Sequence, residues 1–335
     1  MQEIRTIEKP YCYLCGTQGK LLYSEVVDKL FSSNGQWSFY KCTNTECDLI
    51  WLNPMPVEED IYSAYKNYYT HSNPVENNNG LRGIYSRIQS AYLSFAYGYG
   101  NSKSILKYIL YLDPDRLENT KYKVMYLKNI KGRLLDIGCG DGSFMEFMNR
   151  YGWETSGIDF DPKAINTAKL KNINVKLGTL EEQKFSDNYF DVITLSHVIE
   201  HVYDKVKLLK ECYRILKPGG KVVVSTPNTQ SLCHNKFKEN WRGLEPPRHI
   251  HLFSPQTIVN MVKKSGFYKF KVFTNCRGVR YIYRTSSLMQ QNRDPNENDI
   301  LLKVMARLFS FLECALIKIR VECGEELIII AHKCK

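Results

Sequence analysis

Short apolar runs alternate with stretches of helical apolar spacing between residues 131 and 230. The runs GRLLDIG (132–138), ETSGIDF (154–160), INVKLG (173–178), FDVITLSHV (190–198) and GGKVVVSTP (219–227) predict strands. SFMEFMNRYG (143–152), DPKAINTAKLKN (161–172) and DKVKLLKECYRIL (204–216) predict the helices between them. Asp161 supplies an N-cap for the second helix and Pro162 its first turn. Strand–helix alternation implies a parallel sheet covered on both faces, which binds ligands beyond the carboxyl ends of its strands.

Outside that block the pattern changes. IYSAYKNYYTH (61–71) predicts one helix, SNPVENNNG (72–80) a loop, and residues 81–130 mainly helix. LLKVMARLFSFLECALIKIR (301–320) predicts a basic amphipathic helix. Leu301, Val304, Met305, Leu308, Leu312, Ala315 and Ile319 share one face, with Lys303, Arg307, Ser310 and Cys314 opposite. Such a helix either docks on the protein's own core or a second subunit, or lies in a membrane interface.

Composition narrows the class. With 43% hydrophobic residues among 335, the chain can form a packed core. The first thirty residues carry no secretory signal and no long apolar run predicts a membrane span, so a cytoplasmic location is expected. The net charge of +11 is uneven. Residues 131–230 carry 14 Lys+Arg against 13 Asp+Glu, and residues 231–335 carry 18 against 9. The positive field of the last third suits an anionic substrate or a membrane surface. No nucleic-acid-binding motif accompanies it, so a nucleic-acid partner is not expected.

Eleven cysteines, an odd number, argue against a disulfide framework. Four cluster early. Cys12 and Cys15 form C-x2-C, and Cys42 and Cys47 form C-x4-C. Two knuckles separated by hairpin-like sequence suit one structural, four-coordinate zinc. Three regions follow: a zinc unit at 1–55, a helical region at 56–130, and an α/β domain at 131–335 with an insertion at 280–323.

The stretch LLDIGCGDGSF (134–144) ends a strand in three alternating glycines. The spacing is not the G-x-G-x-x-G of dinucleotide sites, and Asp136 would repel a pyrophosphate. A cationic sulfur nucleoside fits better. Asp136 would favour its positive charge, Gly138 and Gly140 would let the backbone come close, and Asp159 could accept both ribose hydroxyls.

With LLDIGCGDG, GIDF, FDVITLSHVIEHV and LKPGGKVVVSTPN in this order, the chain resembles class I S-adenosylmethionine-dependent methyltransferases. The resemblance implies a seven-stranded Rossmann-like sheet with helices on both faces and an antiparallel last strand. KFKVFTNC (269–276) and EELIIIAHK (325–333) would be its sixth and seventh strands, separated by the helical insertion. It also implies S-adenosylmethionine as cofactor, with Phe160, Leu180 and Ser196 joining Asp136, Gly138, Gly140 and Asp159 around it. WLNPMP, LSHVIEHV and WRGLEPPRHIHLFS resemble a bacterial subgroup with an N-terminal zinc knuckle, found among surface-polysaccharide functions. That resemblance implies a sugar, nucleotide-sugar or lipid-linked glycan acceptor.

Methyl transfer to a hydroxyl needs alignment and a base. His197 and His201 after the fourth strand, and His249 and His251 after the fifth, are the candidates. Glu200 would orient a histidine, touch substrate or join a magnesium site, as a resemblance to ubiquinone-type O-methyltransferases suggests. Trp241, Arg242 and Arg248 would bind an anionic or sugar acceptor from a loop over the site. O-methylation with a histidine base is the leading expectation. Sugar C-methylation and methylation of RNA or protein are the alternatives. The amphipathic helix 301–320 would add peripheral contact with the cytoplasmic membrane face.

Overall fold

The computed structural model describes residues 4–65 and 80–334. A first small sheet is built from β2 (Gly19–Val26), β3 (Trp37–Cys42) and β4 (Ile50–Leu52), next to a short ribbon of β1 (Thr6–Ile7) against β5 (Met55–Pro56). The expected helix at 61–71 begins as a 3-10 turn at Ile61–Tyr65, and its remainder lies outside the described residues. Helix α1 (Leu81–Tyr97), a 3-10 segment (Ile105–Leu112) and α2 (Pro114–Tyr122) lead into the central domain.

There the strands are β6 (Gly132–Ile137), β7 (Trp153–Asp159), β8 (Val175–Leu177), β9 (Phe190–Ser196) and β10 (Leu216–Pro227). Helices α3 (Ser143–Arg150), α4 (Pro162–Leu170) and α5 (Lys205–Ile215) connect them, close to their expected bounds. After α6 (Leu232–Phe237) comes β11 (His251–Leu252), then α7 (Pro255–Lys264), β12 (Lys269–Asn275), α8 (Val279–Gln290), α9 (Ile300–Ile317) and β13 (Glu326–His332). The seven strands run in the order β12-β13-β10-β9-β6-β7-β8. β6 to β10 pair in parallel, while β13 is antiparallel to both β10 and β12. Leu134, Leu135, Val192, Ile193, Val222 and Val223 are fully buried, which is why these strands read as unbroken apolar runs.

The loop after β10 departs from expectation. The sequence predicts a loop over the site carrying substrate-binding side chains. Its end is instead β11, an edge strand of the N-terminal sheet, with His251 opposite Trp51 and Leu252 opposite Ile50. Trp51, Ile250 and Leu252 lie in the same core as the central-sheet residues Ile193 and Val224. The reason is edge satisfaction: β4 has unpaired backbone groups on one side, and the loop supplies their partners.

Helix α9 is turned the other way from a docking helix. Leu302, Ala306, Ser310 and Glu313 are buried, while Leu301, Val304, Leu308 and Leu312 are at least half exposed.

Candidate active site

The carboxyl ends of β6, β7 and β9 bring the glycine turn, Asp159 and Ser196 to one edge. Gly138, Gly140 and Gly142 all have positive φ, at 73°, 53° and 74°. Gly138 needs its missing side chain, because a Cβ there would sit 2.3 Å from Val198 Cγ2. Gly140 differs, since the space a Cβ would occupy is open to 4 Å. The turn therefore leaves room for a ligand directly above its backbone.

Asp159 Oδ2 accepts from the Gly140 N–H at 2.8 Å, and Oδ1 from the Asp161 N–H at 2.9 Å. Burial raises its pKa against those two bonds. Asp136 Oδ1 accepts from the Thr194 hydroxyl at 2.6 Å. Burial pushes Asp136 up to about 7, opposed by Thr194 and helped by the charge of Asp159. Two buried carboxylates under strain from desolvation gain from a cation and from hydroxyl donors, and would repel a phosphate. Asp141, the third acid of the stretch, turns away and pairs with Lys171 at 2.7 Å.

Half-exposed Phe160 follows Asp159 and meets Tyr65 edge-on at 5.3 Å between ring centres. Leu180 is buried. Ser196 bonds the Tyr122 hydroxyl, and the Arg277 guanidinium lies 3.4 Å over the Tyr122 ring. Tyr65, Tyr122, Arg277 and Glu326 had no motif to mark them. Only the fold brings them here.

His197 and His201 part company. His197, in a left-handed backbone conformation (φ 53°), places Nδ1 3.2 Å from Glu200 Oε1 and Nε2 2.9 Å from Glu326 Oε1. Burial lowers its pKa, but Tyr122, Glu200 and Glu326 outweigh that and hold it well above the usual value. Both nitrogens are donors to carboxylates, so the expected role of His197 as a base does not fit. Glu200 is fully buried and also accepts from Thr226 at 3.0 Å. Burial works against its ionisation, yet His197, with His201 and His249 behind it, holds it at about 2.

His201 Nδ1 lies 2.9 Å from the Arg248 carbonyl and 3.0 Å from the Tyr65 hydroxyl. A carbonyl can only accept, so Nδ1 carries a proton, and in the neutral ring Nε2 holds the lone pair. His249 is built alike, with Nδ1 2.8 Å from the Gly243 carbonyl. Burial pulls its pKa down to about 4, so it is neutral at physiological pH. The two rings meet at 4.8 Å, and ligand atoms of Glu200, His201 and His249 lie within 4.8 Å of one another.

Residues 108–272, which carry the glycine turn, Asp159 and the histidine cluster, match a family described as a methyltransferase domain. By this match, residues 108–272 resemble a methyltransferase domain. Over 125 residues it is 37% identical to a ubiquinone biosynthesis O-methyltransferase of Alkalilimnicola ehrlichii, covering 35% of this chain and 49% of that protein. A protein of the same description from Cereibacter sphaeroides is 34% identical over 146 residues, covering 40% and 59%. The chain thus spans roughly half the length of these curated relatives. Among solved structures, a SAM-dependent methyltransferase from Archaeoglobus fulgidus aligns at a TM-score of 0.44 with 24% identity, over 72% of this chain and 99% of that one.

The loop residues expected to bind substrate are mostly interior. Trp241 is buried against His234 and donates its indole N–H to Glu325 at 2.7 Å. Arg242 pairs with Glu245. Arg248 is fully buried between Glu245 and Asp28. His251 is buried with Nδ1 2.5 Å from Lys205 Nζ. Arg248 and His251 join the N-terminal unit to the central domain, and Trp241 and Arg242 are paired with Glu325 and Glu245, so these groups do not form the expected anion or sugar subsite. The four early cysteines do converge, with Cys12 and Cys47 sulfurs 3.6 Å apart and Cys15 and Cys42 sulfurs 3.4 Å apart, and could hold a metal.

Proposed function

We propose that this chain is an S-adenosylmethionine-dependent O-methyltransferase of a small hydroxylated acceptor, with His201 as general base. The observation that carries the reading is the fixed tautomer of His201. Its Nδ1–H is spent on the Arg248 carbonyl, leaving Nε2 to take a proton. Through Tyr65 the same ring is linked to Phe160, beside the expected cofactor carboxylate Asp159.

Asp136 and Asp159 fit the cofactor because they are buried acids facing an open glycine turn. Asp159 would receive the ribose hydroxyls and Asp136 the positive end. When bound, the sulfonium supplies an activated methyl group. His201 Nε2 would take the proton of the acceptor hydroxyl as its oxygen receives that methyl group.

A sugar, nucleotide-sugar or lipid-linked glycan remains the acceptor class that the sequence resemblance supports. The internal pairing of Arg242 and Arg248 favours recognition of its hydroxyls over recognition of a phosphate. The cysteine cluster fits a structural zinc. Its sulfur separations approach the roughly 3.8 Å edge of a tetrahedron with Zn–S near 2.3 Å, and all four ligands are protein. One carboxylate and two imidazoles at Glu200, His201 and His249 do not suit magnesium, which prefers oxygen donors.

Thermal shift with S-adenosylmethionine and S-adenosylhomocysteine, followed by labelled-methyl transfer to hydroxylated sugar acceptors, tests the reading. Stabilisation by both nucleosides is expected, and stabilisation by neither would refute it.

A further inference from the structure

Helix α9 shows inverted amphipathicity. Its inward face holds Leu302, Ala306, Ser310 and Glu313, while its outward face presents Ile300 (75% exposed), Leu301 (69%), Leu308 (65%) and Leu312 (52%). The 3-10 segment Ile105–Leu112 does the same, burying only Leu110 and exposing Ile105 (79%), Tyr108, Ile109 and Leu112. One guanidinium ties the two together. Arg280 donates to Asp113, the residue closing the 3-10 segment, at 3.1 Å, and to Ser310 of α9 at 3.1 Å. Water-exposed apolar surface of this extent needs a partner.

Charge selects which one. The two segments carry Lys107, Lys303 and Arg307, with Lys103, Lys318 and Arg320 and the acids Asp113, Asp299 and Glu322 just beyond their ends. Their one acid, Glu313, is completely buried. The exposed charge within the segments themselves is therefore positive. The Lys107 ammonium sits over the Phe95 ring, 3.9 Å from its centre, so positive charge and exposed apolar surface adjoin on this face. A second copy of the face would bring like charges together, whereas anionic lipid headgroups would neutralise them. Among the described residues no helix is long and apolar enough to cross a membrane, so contact would be in the plane of the interface.

We propose that α9 and the 3-10 segment Ile105–Leu112 form one surface that docks on an anionic lipid bilayer. The surface sits one short helix from the site. α2 starts where the 3-10 segment ends and finishes at Tyr122, whose hydroxyl meets Ser196, a rise of about 13 Å. Docking does not depend on the methyl-transfer reading, although it would bring that site near acceptors dissolved in or anchored to the membrane.

Co-sedimentation of the full chain with phosphatidylcholine vesicles, with and without phosphatidylglycerol, tests the proposal. Binding to the anionic vesicles alone, weakened by salt, is expected. Leu308→Glu with Ile109→Glu, and separately Lys303→Glu with Arg307→Glu, should each lower it by about tenfold or more. S-adenosylhomocysteine should still stabilise both double variants, which shows that they are folded. If it stabilises neither the variants nor the native chain, the methyl-transfer reading fails and the vesicle result stands by itself. The charge-reversal pair touches no core residue and keeps the test open if the apolar pair misfolds. Absence of sedimentation with either vesicle would overturn the proposal. So would a stable dimer of the native chain that Leu308→Glu makes monomeric.

Discussion

Arg248 and Asp28, 220 positions apart in sequence, form a buried ion pair at 2.9 Å that fastens the loop after β10 to the N-terminal unit. Asp28 also accepts the backbone N–H groups of Leu30, Phe31 and Ser33, so it organises the turn after β2. Removing Arg248 would leave Asp28 buried without its cation and Glu245 with Arg242 alone. Arg248→Ala should cost about 3–5 kcal/mol of stability, measured by urea unfolding. A change below about 1 kcal/mol would show that the pair is not structural. Asp28 has a lowered pKa: burial raises it, but Arg248 and the backbone donors prevail. Its stabilising contribution is complete above the ordinary carboxylate pKa and is lost as pH falls through the depressed folded value.

Asp136 gives the opposite sign. Its folded pKa is raised from 3.8 to about 7, so the stability of the free protein due to this group is present below about 4 and is lost as pH rises through about 7. A cationic ligand prefers the ionised acid, so its affinity should increase over the same upper range. Calorimetry should show S-adenosylmethionine binding more tightly at pH 8 than at pH 6. Asp136→Asn should flatten that dependence and weaken binding by about 10- to 100-fold. A pH-independent affinity in the native chain would contradict the placement of the sulfonium end beside Asp136.

His201→Ala should reduce kcat by about 10²- to 10⁴-fold while leaving S-adenosylhomocysteine binding near its native value. His197→Ala removes the cation shared by Glu200 and Glu326 and should act mainly through lost stability. Equal kcat losses with unchanged stability in both variants would remove the distinction drawn between these histidines.

The cysteine cluster predicts one bound zinc per chain, read by metal analysis of protein purified without chelator. Cys42→Ser or prolonged chelation should lower the melting temperature. It should also increase protease sensitivity in the loop 241–254, because β11 pairs with β4 in the cysteine-bearing sheet. Metal-free protein with unchanged melting would exclude a structural ion.

The helical and strand periodicities between 131 and 230 are local, and they were enough to foresee the parallel sheet and the convergence of Asp136, the glycines and Asp159, whereas the antiparallel β13 followed only from the resemblance to class I methyltransferases. Each of those residues is placed by its own strand end, so position along the chain fixes position in the fold. The loop 241–254 was not legible in this way. Its density of Trp, Arg and His is the same whether such groups face a ligand or pair with Glu325, Glu245 and Asp28, and those partners lie far away in sequence. The spacing of His197 and His201 likewise could not say which ring is locked between carboxylates and which keeps a lone pair. Helix α9 shows the same limit: its two faces were visible in the sequence, but which one turned inward depended on α8, whose Arg280 meets Ser310, being there to receive it. The sequence by itself determined the strand ends and the chemistry they carry. Only the tertiary structure decided the protonation, pairing and exposure of the groups around them, because those depend on neighbours that chain order does not specify.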